Sequence, residues 1–131
     1  MLPKTSLDIN ALLDKPDERI RAAAVSLSEV TSNNSGNDIL LKALKDSSVK
    51  VKIRAAKIAS KKQSKEAIST LYELSKDPLL WVRYWSIKAI WNTGRQGKKL
   101  VETMSRDNTA TGKMAREVSL ESQSLDASAI T

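Results

Sequence analysis

Apolar residues recur along this chain at i, i+3 and i+4, in short bursts separated by polar turns. Three bursts are clearest: Ile39, Leu40, Leu41, Ala43 and Leu44; Ile68, Leu71, Tyr72 and Leu74; and Leu100, Val101 and Met104. Each predicts a short helix with one buried stripe. After each comes an aspartate (Asp46, Asp77 or Asp107), a few polar residues and a second helical pattern. The second patterns share a landmark, an apolar residue followed by a basic one. It falls at Ile20-Arg21, Val51-Lys52 and Val82-Arg83, a constant stride of 31 residues. Asp14 opens the first of these segments. A fourth, running from Asp107 through Ala115-Arg116 to Leu120, follows the same plan but is stretched by about two residues.

The repeating unit is therefore a helix, a turn carrying the aspartate, and a second helix. Asp77-Pro78 is expected to act as an N-cap followed by proline at the first helical position, and Asp46 and Asp107 sit where a cap would help. Polar breaks separate the units at 31–37, at 61–65 and at 92–97. Units are placed near 7–33, 37–62, 65–93 and 97–121, with a partial first helix through Leu13 and a frayed tail over 122–131. A hairpin of this size cannot bury its apolar face alone, so neighbours must stack and share a core. Val51, Ala55, Ala56 and Ala59 are expected in that core, as are Val82, Ser86, Ala89 and Ile90, with small residues allowing close helix approach. Composition agrees: 4 Gly and 3 Pro are too few for the turns of an all-β fold, and helix formers dominate.

An aliphatic-basic pair early in the second helix, preceded by an aspartate in the turn, resembles the HEAT-repeat pattern. The short period is similar to the compact HEAT-like repeats of phycobilisome-lyase-type proteins. The likeness covers roughly Asp14 to Leu120. It implies an all-α, right-handed α-solenoid of about four HEAT-like helical hairpins. It also implies that Asp46, Asp77, Arg21, Lys52 and Arg83 tie neighbouring turns together.

In such a solenoid the second helices line one face, and adding the stride shows what that face carries. The rungs are Arg19, Lys50 and Trp81; Ala23, Arg54 and Trp85; Ser26, Lys57 and Lys88; and Val30, Lys61 and Asn92. Within a helix they fall at i, i+4, i+7 and i+11, which is one side. The middle unit thus aligns Lys50, Arg54, Lys57 and Lys61, cations that repel one another unless an anionic partner is near. Trp81, Trp85 and Lys88 stand alongside. Tyr84 and Trp91 are expected on other sides of their helix, so at least one of the four aromatics should be exposed or capped by a neighbour. Net charge matches this picture. It is 0 over residues 1–45, +9 over 46–106 and −2 over 107–131. A positive middle favours acidic protein surfaces or nucleic acid as partners.

The absences narrow the chemistry. With 0 Cys and 0 His, the chain has no thiolate zinc site, no cysteine nucleophile and none of the commonest general acid/base. No catalytic constellation, metal site or cofactor is expected. The run Leu79-Leu80-Trp81-Val82 is far shorter than the roughly 20 residues of a membrane span. Met1 to Thr5 lacks a signal-peptide core, so a cytoplasmic protein is expected. The functional expectation is a non-catalytic scaffold docking an acidic protein partner on Lys50, Arg54, Lys57, Lys61, Trp81, Trp85 and Lys88. The alternative is binding of a nucleic-acid backbone. Trp81-Val82-Arg83 resembles a stretch of the HEAT-like DNA glycosylases, which use a carboxylate among aromatics. The rungs here hold no Asp or Glu, which argues against that chemistry. A further basic loop, Gly94-Arg95-Gln96-Gly97-Lys98-Lys99, is accounted for as a turn between units.

Overall fold

The bursts of apolar residues become the first helices of hairpins, and the aliphatic-basic segments become the second. The structure, a computed structural model, describes residues 8–30 and 35–130, with side chains for 8–30 and 38–125. Among these, the order is α1 (Ile9–Leu12), α2 (Glu18–Glu29), α3 (Ser35–Leu44), α4 (Val49–Lys62), α5 (Ile68–Leu74), α6 (Leu80–Trp91), α7 (Arg95–Met104) and α8 (Ala110–Ile130). A 3-10 turn over Lys65–Ala67 leads into α5, and the described residues contain no strand. The fold is an α-solenoid. The segment ending at Thr5 and the polar break over 31–34 lie outside the described residues.

Each hairpin packs on itself: α1 on α2, α3 on α4, α5 on α6, α7 on α8. The second helices then lie side by side in chain order, α2 against α4, α4 against α6, α6 against α8. Small side chains make this layer tight. Val51, Ala55 and Ala59 of α4 and Ser86, Ala89 and Ile90 of α6 are all buried. Leu40, Leu44, Leu71 and Val101 fill the space under the layer from the first helices. Burying each leucine is worth about 1.5–3 kcal/mol, which is what holds a stack of otherwise marginal hairpins together.

Polar ties join unit to unit. Arg21 on α2 reaches the turn of the next unit, with Nε 3.0 Å and Nη2 3.2 Å from the two oxygens of Asp46. Lys52 on α4 repeats the reach, its Nζ 3.3 Å from Asp77. Both pairs are largely shielded from solvent.

The expected caps need correction. Asp77 is not the N-cap of α6, and Pro78 is not its first residue; the helix begins at Leu80 after Leu79. Asp77 Oδ1 instead accepts from the Leu79 N–H at 2.9 Å, while Oδ2 faces Lys52. Asp46 does the same, accepting from the Ser48 N–H at 2.8 Å, and Ser48 is the N-cap of α4. In both turns the carboxylate accepts from the N–H two residues ahead and also meets the basic residue of the preceding unit. Asp14 does not join this series. It is exposed and pairs with Lys42 at 2.7 Å, while Asp17 caps α2. Nor does the Asp107 side chain; Thr109 Oγ1 accepts from the Gly112 N–H at the start of α8.

The stretch in the fourth unit has a definite location. Lys52 lies three positions after Val49 and Arg83 three after Leu80, but Arg116 lies six after Ala110. Helix α8 therefore starts almost one turn early. It also continues past Glu121, where the sequence places the tail, and Ser122 is buried against the stack.

Candidate interaction face

The exposed side of the second-helix layer carries the residues that the stride aligns. Lys50, Arg54 and Lys57 stand in a row on α4, all exposed. They border a groove of about 700 Å³ along α4, which Glu18 of α2 also lines. Arg54 Nη1 donates to the Ser26 hydroxyl at 2.9 Å across the α2–α4 boundary. Lys57 leans the other way, with Nζ 4.9 Å from the centre of the Trp85 ring on α6, a cation over a π-face. Both contacts join residues 28 positions apart, so what touches across the helix boundaries is side chains of neighbouring rungs, not of one rung.

On α6 the aromatics form a connected patch. Trp81 is 61% exposed and meets Tyr84 edge-on with ring centres 5.7 Å apart. Tyr84 meets Trp85 edge-on at 5.2 Å. Tyr84 therefore shares the face of Trp81 and Trp85, contrary to the expectation that it points elsewhere: positions 81, 84, 85 and 88 are i, i+3, i+4 and i+7, the same side of a helix. Trp91 is the aromatic that turns away, buried at 4% exposure with Lys98 Nζ 5.6 Å from its ring. The four do not share one stripe, and Trp81 is the one left open.

Two of the aligned cations are committed within the chain. Lys61 pairs with Glu29 of α2 at 3.2 Å. Lys88 is held between Glu121, at 3.4 Å, and the Ser122 hydroxyl, at 2.9 Å, on α8. Glu121 also accepts the Tyr84 hydroxyl. Burial first, and then this carboxylate beside it, push the Tyr84 phenol up to about 12. Glu121 and Glu29 were not visible as members of the face. Rungs drawn from three units at a stride of 31 miss Glu121, which follows Lys88 at 33 because of the extra turn in α8. Glu29 lies one position off the rung of Val30 and is reached because a lysine is long.

The glycine-spaced basic loop is explained by packing. Gly94 has φ 119°, a conformation side chains resist, and precedes α7. Gly97 is buried, and a Cβ there would fall on the Ile90 carbonyl and the Thr93 hydroxyl at the end of α6. No described helix is long and apolar enough to cross a membrane.

A family model for HEAT repeats matches residues 37–121, which span α3 to the middle of α8. The match is to HEAT repeats as a whole and does not single out the phycobilisome-lyase type. No curated protein matches the chain. With helical hairpins stacked in register, ties from one turn to the next, and a family match over most of its length, the chain belongs to the HEAT repeats, which are commonly protein-interaction scaffolds and generally non-catalytic.

Proposed function

We propose that this protein is a scaffold that docks an acidic segment of a partner protein across α4 and α6. One observation carries the reading: Lys50, Arg54 and Lys57 are exposed and have no acidic partner among the described residues, and Lys57 sits over Trp85, which joins through Tyr84 to Trp81, 61% exposed. A cluster of unneutralised cations is costly on its own and is relieved by an anion. An open indole offers apolar area of the kind that anchors interfaces. Trp85, held under Lys57, extends the apolar floor. Lys61 and Lys88 border the face, their charges balanced by Glu29 and Glu121.

The test is a pull-down with the intact chain, followed by affinity measurement on the recovered partner. The partner should carry an acidic segment. Arg54→Glu and Trp81→Ala should each weaken it by about tenfold or more with unchanged helical circular dichroism. Undiminished binding by both variants would place the interaction elsewhere. Retention of unrelated DNA or RNA sequences, falling steeply with salt and weakened for all of them by Lys57→Glu, would identify a nucleic-acid backbone as the ligand instead.

A further inference from the structure

The ladder of inter-unit ties breaks at one step, and the break leaves a guanidinium edge without an acceptor. Arg21 divides its donors in two. Its Nη1 holds the carbonyls of Lys15 and Pro16 in its own turn, both at 2.8 Å. Its Nε and Nη2 take the Asp46 carboxylate of the next unit. Arg83 reproduces the first half, with Nη1 2.8 Å from the Asp77 carbonyl and 2.9 Å from that of Pro78. The second half is missing: Arg83 Nε is buried with no hydrogen-bond partner among the described residues. The early start of α8 accompanies the break: the Asp107 carboxylate takes no hydrogen bond among the described residues, while its carbonyl serves the arginine of its own unit, Arg116, as the Asp77 carbonyl serves Arg83. Opposite Arg83 now lies the first part of α8. Ala110, Lys113, Met114 and Glu117, with Leu80 and Arg83, line a groove of about 420 Å³.

Buried polar hydrogens almost always find an acceptor, so this one calls for an oxygen from outside the chain. We propose that the groove binds the side-chain carboxylate of an acidic residue, flanked by an apolar one, on a partner segment. The carboxylate lies along Arg83 Nε and Nη2 as Asp46 lies along Arg21, a two-bond fit that suits a guanidinium. Lys113 adds a second positive charge at the wall. Leu80, 51% exposed, and Met114 receive the apolar neighbour. Nε is covered, so an entering oxygen needs a wall side chain to swing aside, and the flexible Met114 does this at little cost. Glu117 at the same wall disfavours a second acid on its side, so the groove selects one acid beside one apolar residue. The inference rests on the reading that the partner segment is acidic, but it uses no residue of the α4 row.

The experiment follows the Arg83 Nε–H resonance of the full, nitrogen-15-labelled chain as N-acetyl-glutamyl-leucine amide is added. A saturable shift is expected, absent with the glutaminyl analogue. In Ala110→Asp, an acid enters the first turn of α8, where the helix terminus favours it, and competes for Arg83. That variant should show the resonance already displaced and its response to the peptide lost. Silence of Arg83 at large excess, an equal response to the glutaminyl peptide, or an undiminished response in Ala110→Asp would overturn the site. A response confined to Lys50, Arg54 and Lys57 would likewise remove this groove while leaving the α4 face standing.

Discussion

Asp46 closes its own turn and joins two units with a single carboxylate. Burial alone would push its pKa up. The Arg21 guanidinium, the Ser48 N–H and the nearby Lys52 outweigh that and hold it below the usual carboxylate range. Asp46→Asn is expected to cost about 1.5–3 kcal/mol at neutral pH, the worth of hydrogen bonds to a charged group. The sign of the pH dependence follows from the lowered pKa. The stabilisation is complete above the unfolded value of about 3.9 and is lost as pH falls through the folded one. Urea melts of both proteins should therefore differ by a constant amount above about pH 5, and the gap should close only as the pH falls below about 3.9 and on through the lowered folded value. A gap that survives in strong acid would mean that the carboxylate contributes shape and not charge. Turn chemistry at this level was only half legible. An aspartate before a helix can cap it or close the turn ahead of it, and at Asp46 and Asp77 the basic residue of the preceding unit decides the matter. That partner is about 25 positions away in sequence.

Helix ends tell a similar story at the next scale up. Helix α4 stops at Gln63, which has φ 52° and ψ 47°, a left-handed conformation that costs a side chain about 1–2 kcal/mol. Gln63 is exposed, so Gln63→Gly removes that strain without opening the core. A gain of about 1 kcal/mol in chemical denaturation is expected; a loss would show that the glutamine makes a compensating contact. The helices themselves were readable because periodicity survives any detail of packing: the stripes ending at Leu44, Leu74 and Met104 close α3, α5 and α7. What periodicity could not give was the start of α8. An extra turn inserted before the aliphatic-basic pair leaves every spacing within the helix intact. It shifts only what faces Arg83 and Lys88, and so it hides both the Glu121 pairing and the unpartnered Nε.

The molecule as a whole is a layer whose members touch only their neighbours, and its middle and margins differ accordingly. Ile20 and Leu27 on α2 are 40% and 39% exposed, yet Val51 and Ile58, one stride on, are buried at 0% and 4%. At the other margin Leu120 is 65% exposed, although Ile87, Ala56 and Val25 at the same place in earlier units are all buried. Truncation should therefore be costly or trivial according to place in the stack. Leu71→Ala, at a wholly buried site, is expected to cost about 2–5 kcal/mol, and Leu120→Ala no more than about 0.5 kcal/mol. Thermal unfolding of the two variants checks this, and comparable losses would mean that α8 is covered in solution. Sequence arithmetic found the stack because each layer repeats the last. It could not rank the aligned cations, since pairing depends on side-chain reach across a helix boundary. Lys61 and Lys88 find carboxylates, while Lys50 and Lys57 find none among the described residues.

The side-by-side order of α2, α4 and α6 also makes the layer a ruler. Packed helices sit about 8–10 Å apart, and an extended peptide advances about 3.3 Å per residue. A strand laid across the axes thus meets a new helix at roughly every third residue. A segment docked across α4 and α6 as proposed would be read in threes, and moving its acidic groups by a single position would set them over the gaps.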